Sequence, residues 1–204
     1  MLFNSHIFIF LFLPITFLLF AVLRKTGNSA SLYLLLVTAS LIFYSWWNVN
    51  HLPLLILSIV FNFYLSRFFY LSGKGAASRK AMLIIGISLN LGLIAYFKYA
   101  GFIADNVRHI TGFELELATI ALPLAISFFT FQQISFLVDS YRNETRDYRL
   151  LKYAVYITFF PQLIAGPIVY HREVMAQIDG LGKSREWVQN ISRGLTLFIV
   201  GLAK

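Results

Sequence analysis

The sequence predicts an all-α, polytopic transmembrane protein of about six to seven spans, and three observations carry that expectation. Of its 204 residues 58% are apolar and only 13% are charged, about half the charged share of an ordinary soluble domain. Mean hydropathy is +0.71. The charges gather in short clusters, and the uncharged runs between them approach or exceed the ~20 residues needed to cross a bilayer. A soluble domain would have to expose much of its complement of 21 Phe to water, and a disordered chain would not carry such apolar content. The net charge of +8 is explained by Lys and Arg held on the cytoplasmic side of a membrane. The expected environment is therefore the lipid bilayer, with no nucleic-acid partner. The absence of Cys removes disulfides, a cysteine nucleophile and thiolate-bound metal from consideration.

The elements follow in order. Residues 7–23 are almost pure Phe, Leu and Ile, with Pro14 as a kink. Arg24 and Lys25 come after this run rather than before it, the reverse of a cleaved signal peptide, so it reads as an uncleaved first span. Residues 26–66 contain no charge, which is too long for one crossing. Trp46, Trp47, Asn48 and Asn50 mark an interfacial turn and Pro53 restarts the helix, giving spans at 32–47 and 52–71. A fourth span covers 81–97 and ends at Lys98. A fifth covers 117–138 and a sixth 153–170. Residues 187–203 open a seventh segment that Arg193 interrupts. Residues 72–78 read as a flexible loop, and 113–117 as a short amphipathic piece.

Counting Lys and Arg by loop orients the chain. Arg24, Lys25, Arg67, Lys74, Arg79, Lys80, Arg142, Arg146, Arg149 and Lys152 follow the odd-numbered spans. Only Lys98, Arg108, Arg172, Lys183 and Arg185 follow the even-numbered ones. This places the N-terminus outside.

Polar residues at membrane depth are costly and turn toward other helices or a cavity. Ser58, Asn62 and Ser66 stand at i, i+4, i+8, on one helix face. Gly86 and Asn90 are four apart on the next span. Small and amide residues so placed are the usual means of tight helix packing. The fifth span is richer. Gln132, Ser135 and Asp139 form one stripe, and Ser127, Thr130 and Gln133 a neighbouring one. Two adjacent Gln carry four N–H donors and two carbonyl acceptors that lipid cannot satisfy, so they either pack against another span or wall a polar cavity. In the sixth span Pro161 and Pro167 remove backbone donors, with Gly166 between them and Gln162 at the break. Broken helices persist in a bilayer where the freed carbonyls meet protein or water. Gln132, Gln133 and Gln162 are thus the candidate substrate-binding residues of a polar interior. The four His (His6, His51, His109 and His171) fall at or near span ends without a partner at ligand spacing, and no catalytic or metal-binding motif is present.

Several segments together resemble one family. These are the opening run from Met1 to Pro14; Ser45, Trp46, Trp47 and Asn48; Tyr96, Phe97, Lys98 and Tyr99; the stretch from Leu122 to Ser135; and that from Phe159 to Ile168. In this order they resemble the N-terminal portion of the membrane-bound O-acyltransferase family, in particular bacterial subunits that O-acetylate alginate, across the whole chain. The resemblance implies one transmembrane domain over 1–204, part of a multi-pass inner-membrane protein. It implies transfer of acetyl groups to an extracytoplasmic polysaccharide, relayed to periplasmic acetyltransferase partners. The donor would be a species such as acetyl-CoA, with no resident cofactor. It also implies that the catalytic His lies beyond Lys204, in a later half that none of the four His here matches. The chain would then be a truncated product or partial sequence and inactive alone. A transporter or channel-like subunit and a purely structural membrane subunit are the competing expectations. No charge lies deep in spans one to six, which disfavours an ion path.

Overall fold

The computed structural model describes residues 2–70, 75–111, 121–145, 149–164, 166, 171–180 and 187–202. The protein is all-helical, with no strand among these residues. Among the described residues ten α-helices follow one another: α1 Leu13–Arg24, α2 Ser29–Ser45, α3 Leu52–Phe68, α4 Ala76–Ile94, α5 Ala100–Thr111, α6 Ile126–Tyr141, α7 Leu150–Thr158, α8 Phe160–Leu163, α9 His171–Asp179 and α10 Trp187–Leu202.

Local sequence explains most boundaries. Pro14 sits in the first turn of α1, directly after a π-helical turn over Phe8–Phe12. The wider turn accommodates a residue with no N–H and a ring that crowds the carbonyl four residues earlier. Gly27 adopts φ +68, and Asn28 caps α2 by accepting the Ala30 N–H at 3.0 Å. Trp46 and Trp47 form the expected turn, both more than half exposed. Asn48 then caps a 3-10 turn at Val49–His51, and Pro53 lies in the first turn of α3.

Three sequence expectations need correction. The helix does not stop at Lys98. It runs through a π-helical turn at Ala95–Tyr99 into α5, so that Ala76–Thr111 is one helical stretch of 36 residues, about 54 Å at 1.5 Å per residue. Lys98 ends the apolar run but not the helix, because its ammonium can lie outward over the Tyr99 ring at 5.6 Å. The fifth span starts later than residue 117: α6 begins at Ile126, after Pro123 and an Ala125 in the left-handed region. Arg193 interrupts the apolar run as expected, while α10 continues through it, since an exposed Arg leaves backbone hydrogen bonding intact. Of the loop expected at 72–78, Gly75 precedes α4 and Ala76 to Ser78 are already helical. The amphipathic piece expected at 113–117 lies outside the described residues.

Val49–Phe68 and Ala76–Thr111 are long and apolar enough to cross a membrane. Phe10, Leu18, Leu57 and Leu197 are each about two-thirds or more exposed. An outer surface of this kind is consistent with lipid contact.

Packing sets direction. Asn62 of α3 meets Gln133 of α6, Leu65 and Leu137 both crowd Gly86 of α4, and Tyr70 beyond α3 bonds Thr145 beyond α6. Sequence numbers rise together, so α3 and α6 run side by side in one direction. On α4 Asn90 pairs with Asn62, Gly86 with Leu65, and Arg79 with Tyr141 and Asn143, so α4 runs the opposite way. The apolar core joins α1, α2, α3, α6 and α7 through Phe20, Tyr44, Leu55, Phe129, Phe136 and Tyr156. A second aromatic cluster of Phe8, Phe43 and Phe160 ties the N-terminal turn to α2 and α8, with Phe198 of α10 packed on it.

Candidate functional site

Three polar features occupy the interior. The first joins α3, α4 and α6. Ser58 Oγ donates to Gln133 Oε1 at 2.6 Å, and Asn62 Nδ2 donates to the same oxygen at 2.9 Å, so both lone pairs of that carbonyl are engaged. Asn90 Nδ2 donates to Asn62 Oδ1 at 2.7 Å and to the Gly86 carbonyl at 2.8 Å. Asn62, Asn90 and Gln133 are all buried. The Ser58/Asn62 face and the Gly86/Asn90 pair thus do what their spacing indicated: they glue helices together. Ser66 does not join them; its hydroxyl turns back to the Phe63 carbonyl at 2.6 Å.

The second feature is Gln132. It is only 1% exposed, yet neither Oε1 nor Nε2 has a hydrogen-bond partner among the described residues. Its neighbour Gln133 is left with Nε2 alone unbonded. Successive residues on an α-helix point about 100° apart, and this separates the two glutamines. Gln133 looks toward α3 and α4, whereas Gln132 points about 100° away from it, and Phe136 one turn on lies between the two directions. Phe136 packs against Tyr153 of α7 with ring centroids 4.4 Å apart. The Thr130, Tyr44 and Tyr153 hydroxyls also have no partner among the described residues.

The third feature is the interruption between α7 and α8. The expected break is present: the helix is interrupted at Phe159 (φ −47, ψ 105) and ends again after Leu163, between Pro161 and the position of Pro167. Pro161 forces it. Within a continuous helix its ring would collide near Ile157 and it could donate no hydrogen bond, so the chain restarts with Pro161 in the first turn of α8. The Ile157 carbonyl loses its ordinary helical donor, and the Gln162 N–H turns to the Phe159 carbonyl at 3.0 Å. The freed Phe160 N–H is recovered by Ser40 of α2, whose Oγ accepts it at 3.2 Å in a fully buried setting. Gln162 follows the break and is half-buried. Gly166 closes over it: its N–H donates to the Gln162 carbonyl at 2.9 Å, and a Cβ there would fall 2.5 Å from Gln162 Cγ. Pro167 lies outside the described residues.

The structure therefore does not gather the three candidate glutamines into one constellation. Gln133 belongs to the packing network, Gln132 is turned away from it and left unbonded among the described residues, and Gln162 sits beyond the break. Sequence reasoning missed Ser40, a lone hydroxyl in an apolar helix whose partner is 120 positions away. It also missed the clasp at one end of the bundle. There the Tyr70 hydroxyl bonds Thr145 Oγ1 at 2.6 Å, Thr145 Oγ1 bonds Ser140 Oγ at 2.6 Å, and Arg79 Nη2 donates to the Tyr141 carbonyl at 2.7 Å and to Asn143 Oδ1 at 3.1 Å. Among the described residues no group of His and carboxylates is placed to hold a metal.

No family model matches the chain, and no solved structure matches it. Curated proteins do. The peptidoglycan O-acetyltransferase of Helicobacter pylori is 39% identical over the whole of this chain, which covers 44% of that protein. The probable alginate O-acetylase AlgI of Pseudomonas aeruginosa is 34% identical, again over the whole chain and 39% of its own length. The teichoic acid D-alanyltransferase of Lacticaseibacillus rhamnosus is 21% identical over 70% of the chain. The chain spans about two-fifths of the length of the first two relatives and aligns with their N-terminal part. By this similarity the chain belongs to the membrane-bound O-acyltransferase family.

Proposed function

We propose that the protein to which this chain belongs is a multi-pass O-acetyltransferase of the bacterial inner membrane. It moves acetyl groups from a donor such as acetyl-CoA to hydroxyls of an extracytoplasmic polysaccharide, by way of periplasmic acetyltransferase partners. The observation that carries this reading is similarity along the entire chain to two proteins named for O-acetylation of cell-surface polymers.

The interior supports it. The buried polar side chains of α2, α3, α4 and α6 are neutral hydroxyls and amides, except Asp139 near the end of α6. Neutral hydrogen-bonding groups suit an uncharged acetyl carbonyl, whereas an ion path calls for buried charge. In this reading residues 1–204 form a single helical membrane domain of six to seven spans with the N-terminus outside. The ends of α3 and α6, which the Lys and Arg count puts on one side, do meet in the Tyr70–Thr145 clasp. Of the three candidate glutamines, Gln132 and Gln162 contribute to the substrate-facing polar interior, and Gln133 holds its helices together. The base that takes the acceptor's proton is a His in the part of the protein beyond this chain, so residues 1–204 alone are inactive.

The test is expression in a host lacking its own polymer O-acetylation, with base-labile acetate measured on alginate and on peptidoglycan glycan. The full-length protein should restore acetate on one of them, and residues 1–204 should not. Full-length protein in the membrane with no acetate on either polymer would reject the function. Acetate from residues 1–204 alone would reject the placement of the base.

A further inference from the structure

We propose that Gln132, and not its neighbour Gln133, is the α6 side chain that contacts the acyl group, its Nε2 donating to the acyl carbonyl oxygen. This deepens the acetyl-transfer reading and rests on it.

Three observations separate the two residues. Gln133 has its carbonyl oxygen filled by Ser58 and Asn62, so its side chain is held as a structural member of the α3–α4–α6 network. Gln132 has all of its hydrogen-bonding capacity unspent among the described residues. A buried amide without partners is strongly unfavourable, so a Gln at this position costs stability unless something visits it. Finally, Gln132 is already 99% enclosed. A further protein segment packing on the outside of the bundle cannot reach it, so the missing partner must be small enough to enter.

The interruption between α7 and α8 lies at the same height as Gln132. α6 runs with α3, and Tyr153 at the start of α7 packs on Phe63 late in α3, with ring centroids 5.9 Å apart. Later, Phe160 meets Phe43 near the end of α2. α7 thus runs back along α6. From the Phe136–Tyr153 contact, one turn back on α6 reaches Gln132, and one turn on along α7 reaches Ile157, two residues before the break at Phe159. Gln132 is therefore level with the part of the α7–α8 segment where regular hydrogen bonding fails and the chain is easiest to part. Between Ile126 and Val138 no residue carries a charge. The chemistry on offer is a neutral amide on a stretch of helix without charge, suited to an ester or thioester carbonyl and not to a carboxylate or phosphate.

The experiment uses the full-length protein in detergent or nanodiscs with acetyl-CoA as the donor, comparing wild type, Q132L, Q132N and Q133L. Melting temperature and initial rates over a range of donor concentration are read for each. Q132L should melt at or above the wild-type temperature and lose about tenfold in kcat/KM, on the order of one hydrogen bond to the reacting group. Q132N, which keeps the amide, should recover part of that loss. Q133L should lower the melting temperature by several degrees and keep its kcat/KM per folded molecule within about twofold. A Q132L protein with unchanged kcat/KM would overturn the inference, as would a melting temperature lowered as far as that of Q133L. If wild type uses acetyl-CoA, either result rejects the role of Gln132 and leaves the transferase reading standing. If wild type transfers no acetyl from acetyl-CoA, the transferase reading with this donor itself fails.

Discussion

Gly86 has no room for a methyl group. A Cβ there would fall 2.5 Å from Leu65 Cδ2 and 3.0 Å from Leu137 Cδ1, and both leucines are buried. Gly86→Ala should therefore destabilise the bundle by about 1–3 kcal/mol through overpacking, read as a lower melting temperature in detergent. An unchanged melting temperature would mean the three helices separate more easily than their contact suggests. Ser40 makes a comparable argument from hydrogen bonding. Ser40→Ala leaves the buried Phe160 N–H without its acceptor, a loss of about 1–3 kcal/mol. Amide exchange by mass spectrometry should show faster exchange around residues 159–163 and little change in α4. Of these two residues only Gly86 was legible in the sequence, because its four-residue spacing to Asn90 is a local pattern. Ser40 gave no such sign: nothing near it in the chain indicates a broken helix to bond.

At the scale of elements, α6 begins under strain. Ala125 has φ 57 and ψ 19, a conformation that costs a residue with a Cβ about 1–2 kcal/mol. Ala125→Gly relieves that cost while loosening the unfolded chain, and the balance should raise stability by up to about 1 kcal/mol. A fall in melting temperature would show that the left-handed turn is not what limits this helix start. Helix starts with a proline in the first turn, at Pro14, Pro53 and Pro161, follow directly from residue type. Helix ends at charges did not follow. Lys98 and Arg193 stop an apolar run without stopping a helix, since helix continuity depends on backbone geometry and a long cationic side chain can reach away from the apolar surface. The first turn of α6 could not be placed by hydropathy either, because the apolar run continues unbroken through the non-helical residues 121–125.

For the whole molecule, the clasp of Tyr70, Arg79, Ser140, Asn143 and Thr145 brings the loops after α3 and α6 to one end of the bundle. The turn at Trp46 and Trp47 lies at the other end of α2 from Lys25. The absence of Cys from the chain makes this directly testable with single introduced cysteines at the exposed positions Lys25, Asn143 and Trp47. In intact cells an impermeant maleimide should label the Trp47 site and spare the other two, which become reactive after lysis. Labelling of Asn143 and Trp47 together would reject the proposed topology. The helical class, the approximate places of the apolar helices and the faces that carry polar groups were determined by the sequence alone. Each follows from composition and from a repeat of 3.6 residues, which act over one or two turns. Tertiary structure alone decided which amides are spent on packing and which is left open. Gln132 and Gln133 are chemically the same and adjacent, but a rotation of 100° sets Gln133 against Ser58 and Asn62 and leaves Gln132 buried without a partner among the described residues, and only the arrangement of distant helices gives those two directions different neighbours.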